Sequence, residues 1–208
     1  MDLAPSETDW ALAKSVYDAF SQKPGAQHIA SEFALAHLSA LVNRVRPEAV
    51  LEFGAGIGTI TYFLLNHPAK IGHVTTTEGN AFCLEQLAAN IPTEYSGRYD
   101  IVVDDGALAT EKWPYKIVIV DSSVSRRGYG FLDRGMTCFV EGKRLANRQE
   151  IEDELAGRGL RCNFVNYRRG PKLFSVAMRR SKKYGISYPK FSILKVPKGC
   201  WIGTVEAR

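Results

Sequence analysis

Residues 49–65, where the apolar pattern changes period, constrain the fold most. Ala49-Val50-Leu51-Glu52-Phe53 is apolar enough for a short strand buried on both faces, and Pro47 just ahead of it ends a preceding helix. Three glycines at alternate positions follow, Gly54, Gly56 and Gly58, and then an apolar helix with Ile60, Tyr62, Phe63, Leu64 and Leu65. Strand, glycine-rich turn and helix make one β-turn-α unit.

The alternation repeats downstream. Strand 72–78 precedes helix 80–90, strands 99–104 and 116–121 follow, and strand 136–141 leads into helix 147–158. Such alternation predicts a mostly parallel sheet with helices on both faces. Segments 161–168 and 172–179 are joined across Arg169-Gly170-Pro171, too short for a crossover, so they are expected to pair antiparallel. The expected architecture is α/β, seven strands with the last reversed. Two helices precede it, over 6–20, capped by Ser6, and over about 26–45. The organisation expected is a domain over 1–183, with N-terminal helices in 1–47, and a basic, apolar extension over 184–208. Within that extension, 191–196 and 201–205 around Pro197-Lys198-Gly199 read as a hairpin.

A chain of 208 residues that is 45% apolar can bury one large core without staples. Its four cysteines, Cys83, Cys138, Cys162 and Cys200, form no C-x-x-C pair, so neither a zinc site nor a disulfide framework is expected and a reducing cytoplasm suits them. No apolar run approaches the roughly 20 residues of a membrane span, and the start lacks the order of a signal peptide. A cytoplasmic protein without a membrane partner is expected. Charge is uneven: residues 1–160 carry 15 Lys/Arg against 21 Asp/Glu, whereas 161–208 carry 12 against one. The last quarter is either a solvated basic surface or a site for an anionic partner, nucleic acid included.

A glycine-rich turn ahead of a helix lets a ligand approach the backbone and meet unpaired N–H groups. The dinucleotide fingerprint G-x-G-x-x-G is not present, because the third glycine comes one residue early. The run Glu52-Phe53-Gly54-Ala55-Gly56-Ile57-Gly58-Thr59 instead resembles the first motif of class I S-adenosylmethionine-dependent methyltransferases, acidic-x-G-x-G-x-G. The resemblance covers about residues 27–180. It implies that S-adenosyl-L-methionine is bound at Glu52, Gly54, Ala55, Gly56 and Gly58. It further implies that Glu78, followed by Gly79, accepts hydrogen bonds from the ribose hydroxyls. Asp105, followed by Gly106, would read the adenine amino group, although Asp104 could serve instead.

Asp121 ends the fourth strand, and ligands of open α/β sheets gather outside the carboxyl ends of strands, so it is the candidate catalytic residue beside the reactive methyl. In the similar catechol-type O-methyltransferases the matching aspartate binds magnesium with an Asp-Asn pair after the fifth strand. Here that position reads Glu141-Gly142, so a magnesium site would have to use Asp121 and Glu141 through waters and substrate. The Asn/Asp-Pro-Pro-aromatic signature of base-amino methyltransferases is replaced by Ser122-Ser123-Val124-Ser125, which argues against methylation of an exocyclic base amine. Asp121, His28 and His37 are the candidate bases for an O–H acceptor. Arg126 and Arg127, with Lys143 and Arg144, would line the mouth and suit an anionic acceptor. The reading is thus O-methylation of a small or medium acceptor, by a protein that could form a homodimer. Its rivals are an RNA-binding or RNA-modifying protein and a non-catalytic scaffold of the same fold.

Overall fold

The computed structural model describes residues 3–103, 114–121, 129–142, 145–168 and 199–208, and for their backbone 174–180 and 187–193. Helix α1, Glu7–Ser21, opens on a capping box in which Ser6 and Asp9 satisfy each other's backbone N–H. Helix α2, Glu32–Val45, is shorter than its periodicity suggests. Gly25 enters the left-handed region at φ 86°, a single 3₁₀ turn follows over Ala26–His28, and Ile29 is extended. The Ser31 hydroxyl then accepts from Ala34 N, which sets the start of α2. The two helices are locked together at a buried junction: Ser39 Oγ donates to Asp9 Oδ1, Asn43 donates to the same oxygen at 2.8 Å, and His67 Nε2 lies 2.9 Å from Ser39 Oγ.

Strand β1 (Ala49–Phe53) lies at the centre, with β2 (His73–Thr77) and then β3 (Tyr99–Val102) parallel on one side. On its other side β4 (Tyr115–Val120) and β5 (Thr137–Glu141) continue the parallel sheet. Helix α3 (Thr59–Leu65) follows β1, α4 (Ala81–Asn90) follows β2, and α5 (Leu145–Gly157) follows β5. Alternate residues of β1 feed two cores. Val50 joins the apolar residues of α1 to α4, whereas Leu51 and Phe53 pack with Tyr129, Leu132 and with Ile151 and Leu155 of α5. Each such side chain, fully buried, contributes roughly 1.5–3 kcal/mol. Among the described residues no helix is long and apolar enough to cross a membrane.

The final strand runs reversed, as expected, but its identity differs from the sequence reading. The reversed strand is β10 (Gly199–Ala207), which pairs antiparallel with β5 on one side and, on the other, with β6 (Leu160–Cys162) and β7 (Val165–Arg168). Segment 160–168 is therefore one sheet position interrupted at Asn163-Phe164. Segment β8 (Phe174–Arg180) does not pair with it, and β10 does not pair with 191–193, the described part of the expected partner; β8 pairs with β9 (Ser187–Ile193) in a separate two-stranded hairpin. The hairpin near the end of the chain is thus an insertion ahead of the last strand. Strand β10 fits its place because Cys200, Ile202 and Val205 supply both cores. Gly203 leaves room for the neighbours of the crossing: a Cβ there would lie 2.6 Å from Cys162 Sγ and 3.0 Å from Phe164.

Candidate functional site

The turn after β1 is built from three left-handed glycines, with φ 89° at Gly54, 53° at Gly56 and 90° at Gly58. Gly54 N and Ala55 N both donate to Thr77 O, at 3.1 and 2.9 Å, so the turn hangs from the end of β2. The glycines serve different ends. At Gly58 a Cβ would press on Leu87 of α4 and on Ile91 just after it, at 3.3 and 3.4 Å, so this glycine lets two helices approach. At Gly56 a Cβ would meet nothing within 4 Å, so the space above it is open to a ligand. Thr59 Oγ1, buried at the start of α3, has no hydrogen-bond partner among the described residues.

Glu78 braces this turn. Its Oε2 accepts from Gly56 N at 2.8 Å, and its Oε1 accepts from Gly79 N and Asn80 N at 2.9 and 2.8 Å. A carboxylate offers about four lone-pair sites, so acceptor capacity remains for a ligand hydroxyl. The cleft beside it encloses about 250 Å³. It is lined by Ala55, Gly56 and Ile57 of the turn, by Thr59 at the start of α3, by Gln27, His28 and Ile29 between α1 and α2, by Asn80, Phe82 and Cys83 at the start of α4, and by Asp121. Asp121 N donates to Phe53 O at 2.9 Å, which fixes the end of β4 beside the glycine turn.

The structure thus brings Ala55, Gly56 and Asp121 into one cleft, with Gly54, Gly58 and Glu78 shaping it. Glu52 lies underneath, fully buried, with Oε2 accepting from Thr61 Oγ1 at 2.6 Å. Burial pushes its carboxyl up to about 7, against the pull of the Thr61 and Thr76 hydroxyls. Gly79 is exposed and serves the Glu78 clamp. Glu141 is directed to the start of α2, where Ser31 N donates to Oε1 at 3.5 Å, and it does not line the cleft with Asp121. Asp105, Gly106, Arg126, Arg127, Lys143 and Arg144 lie outside the described residues. Among the described residues no three His, Cys, Asp or Glu side chains cluster as metal ligands.

The two candidate histidines separate. His28 is exposed and lines the cleft. His37 is buried among Trp10, Phe33 and Tyr167, with Nδ1 3.0 Å from Phe33 O, and burial holds it below the usual imidazole range. It is a packed residue and does not reach the cleft. Sequence reasoning missed Gly25 and Phe82. Phe82 is 46% exposed at the cleft, and a Cβ on Gly25 would lie 2.9 Å from its ring and 2.7 Å from Ile57. The signals were present: Pro24-Gly25 marks a turn, and Asn80 caps α4 by accepting from Cys83 N, which puts Phe82 in its first turn.

No model of a protein family matches the chain, and no curated protein does. Its structure is similar to solved ones. It superposes on the tRNA (m1A58) methyltransferase of Aquifex aeolicus with a TM-score of 0.58, at 11% identity over 93% of this chain and 76% of that one. The C-terminal domain of precorrin-6Y C5,15-methyltransferase from Rhodobacter capsulatus gives 0.54, at 16% identity over 100% of both chains. A SAM-dependent O-methyltransferase from Thermotoga maritima gives 0.52, at 11% identity over 80% of this chain and 62% of that one.

Proposed function

The protein has the class I methyltransferase fold, and we propose that it is an S-adenosylmethionine-dependent methyltransferase acting on an acceptor oxygen. The observation that carries this reading is the open backbone at Gly56, braced by the Glu78 carboxylate and facing Asp121 across one cleft. The turn backbone and the orphan Thr59 hydroxyl fit a polar ligand, and the remaining lone pairs of Glu78 fit a diol. Bound there, the cofactor supplies a methyl group on a good leaving group, so the protein need only orient the acceptor and remove its proton. Asp121 would accept that proton, with His28 the second basic group on the cleft. Arg126 and Arg127 would hold an anionic acceptor.

Calorimetry with S-adenosylhomocysteine tests the cofactor assignment. Micromolar binding, about 8 kcal/mol, is expected, with much weaker binding of NAD. Gly56→Val should abolish it, since the side chain fills ligand space in a backbone conformation that suits glycine. Tight NAD binding without S-adenosylhomocysteine binding would overturn the assignment. Asp121→Asn should lower turnover by about 10²-fold or more, the scale of general-base assistance, while cofactor affinity changes little. Normal turnover in that variant would return Asp121 to an ordinary strand-end acid. Activity lost with a chelator and restored by magnesium would instead make Asp121 a metal anchor.

A further inference from the structure

Between the end of α1 and the cap of α2 the chain runs along the cleft as a strap, residues 22–30, of which Gly25 and the stretch from Gln27 to Ala30 line it. At Gly25 the strap backbone meets both other walls: a Cβ there would lie 2.7 Å from Ile57 of the glycine turn and 2.9 Å from Phe82 of α4. Little inside the strap holds it in place. Its 3₁₀ turn over Ala26–His28 has no side-chain cap, the bond from Ile29 N to Ala26 O is 3.4 Å long, and Gln27 and His28 are exposed. Short, weakly bonded and exposed backbone is what opens first in a folded chain.

A polar chain ties the strap down from outside the cleft. Lys23 Nζ donates to Asn90 Oδ1 at 2.9 Å, and Asn90 Nδ2 donates to Ile57 O at 2.9 Å. The two partners fix the orientation of the Asn90 amide, because an ammonium can only donate and a carbonyl can only accept. Asn90, the last residue of α4, thus joins the strap to the carbonyl between Gly56 and Gly58. Lys23 Nζ also lies 5.3 Å from the centroid of the Phe20 ring, within reach of a cation–π attraction. We infer that Lys23 and Asn90 form a latch that holds the 22–30 strap closed over the cleft, and that ligand enters and leaves by its release. Neither residue lines the cleft, so the latch is made alike whether the cleft is empty or filled. Such a contact sets how often the strap opens and leaves the relative stability of free and bound states untouched, so it slows entry and exit equally. The inference rests on the methyltransferase reading only for the identity of the ligand, not for the latch.

Lys23→Met tests it, since it removes the donor and keeps an unbranched apolar stem beside Phe20. Surface plasmon resonance of the full chain with S-adenosylhomocysteine should show association and dissociation both faster by about five- to tenfold, the scale of one partly exposed hydrogen bond, at an unchanged Kd. Lys23→Arg, which keeps a donor for Asn90, should retain the parent rates. Hydrogen exchange without ligand gives a second readout: the amides of 25–30 should exchange about five- to tenfold faster in Lys23→Met, with β1 and α4 unaltered. Strap exchange equal to the parent's, or binding rates equal to the parent's, overturns the inference. So does faster dissociation alone with a weaker Kd, which would make Lys23 a support of the bound ligand. A parent chain that does not bind S-adenosylhomocysteine, with strap exchange still raised by Lys23→Met, would leave the latch standing and remove the cofactor reading instead.

Discussion

Glu78 holds three backbone amides from two segments, so its removal does two things at once. Glu78→Ala should weaken S-adenosylhomocysteine binding by roughly one to two orders of magnitude, the scale of a charge-assisted hydrogen bond. It should also lower the stability of the ligand-free protein by about 1–2 kcal/mol, because Gly56, Gly79 and Asn80 lose their acceptor. Unchanged ligand affinity with lowered stability would show a purely structural brace. Glu52 sits one layer deeper and responds to pH. Its carboxyl is raised from 4.5 to about 7 in the folded state, so the folded chain binds the proton more tightly than the unfolded one. The stability this confers is fully present below about pH 4.5 and is lost as pH rises through about 7. Glu52→Gln, which keeps an acceptor for Thr61 and carries no charge, should therefore gain on the parent as pH rises. A gain approaching about 3 kcal/mol at pH 8, shrinking toward pH 5, is expected in chemical denaturation; a gain independent of pH would refute the charge argument.

Gly203 decides whether β10 can occupy its place. Across it the thiol of Cys162 approaches that of Cys138, and this contact with burial pushes Cys162 ionisation far up. Gly203→Ala should cost about 1–3 kcal/mol by overpacking, measured as a shift of the denaturation midpoint. Adding Cys162→Ala should cost less than the two changes summed, since it removes the atom the new methyl meets; strict additivity would place the clash elsewhere. The elements differ in how openly the sequence announces them. Strand β1, the glycine turn and α3 are contiguous, and their signals agree over 17 residues, from Ala49 to Leu65. The pairing of 160–168 is non-local. Segments 172–179 and 201–205 are both short and apolar, and only long-range packing chooses the second as partner. Gly170-Pro171 marked a turn, which says nothing about which strands it joins.

At the scale of the whole molecule, the cleft was legible where side chains form its lining, as with Asp121. It was hidden where backbone amides do: no side-chain pattern shows that Glu78 would fold onto Gly56, or that the stretch after α1 would return to face α4 through Gly25. The same holds for the sheet, whose parallel half, β3-β2-β1-β4-β5, is built from neighbours in sequence order on either side of β1, whereas its reversed half closes only through β10. Synthesis proceeds in one direction, and roughly sixty residues separate Glu141 from Gly199. At about 5–20 residues per second, the nascent chain would carry β5 with an open edge for roughly 3–12 s before its partner is made. An open edge invites pairing with another chain. The 15 Lys/Arg translated in that interval, against four Asp/Glu, precede the strand that closes the edge, and their mutual repulsion would keep nascent copies apart until β10 arrives.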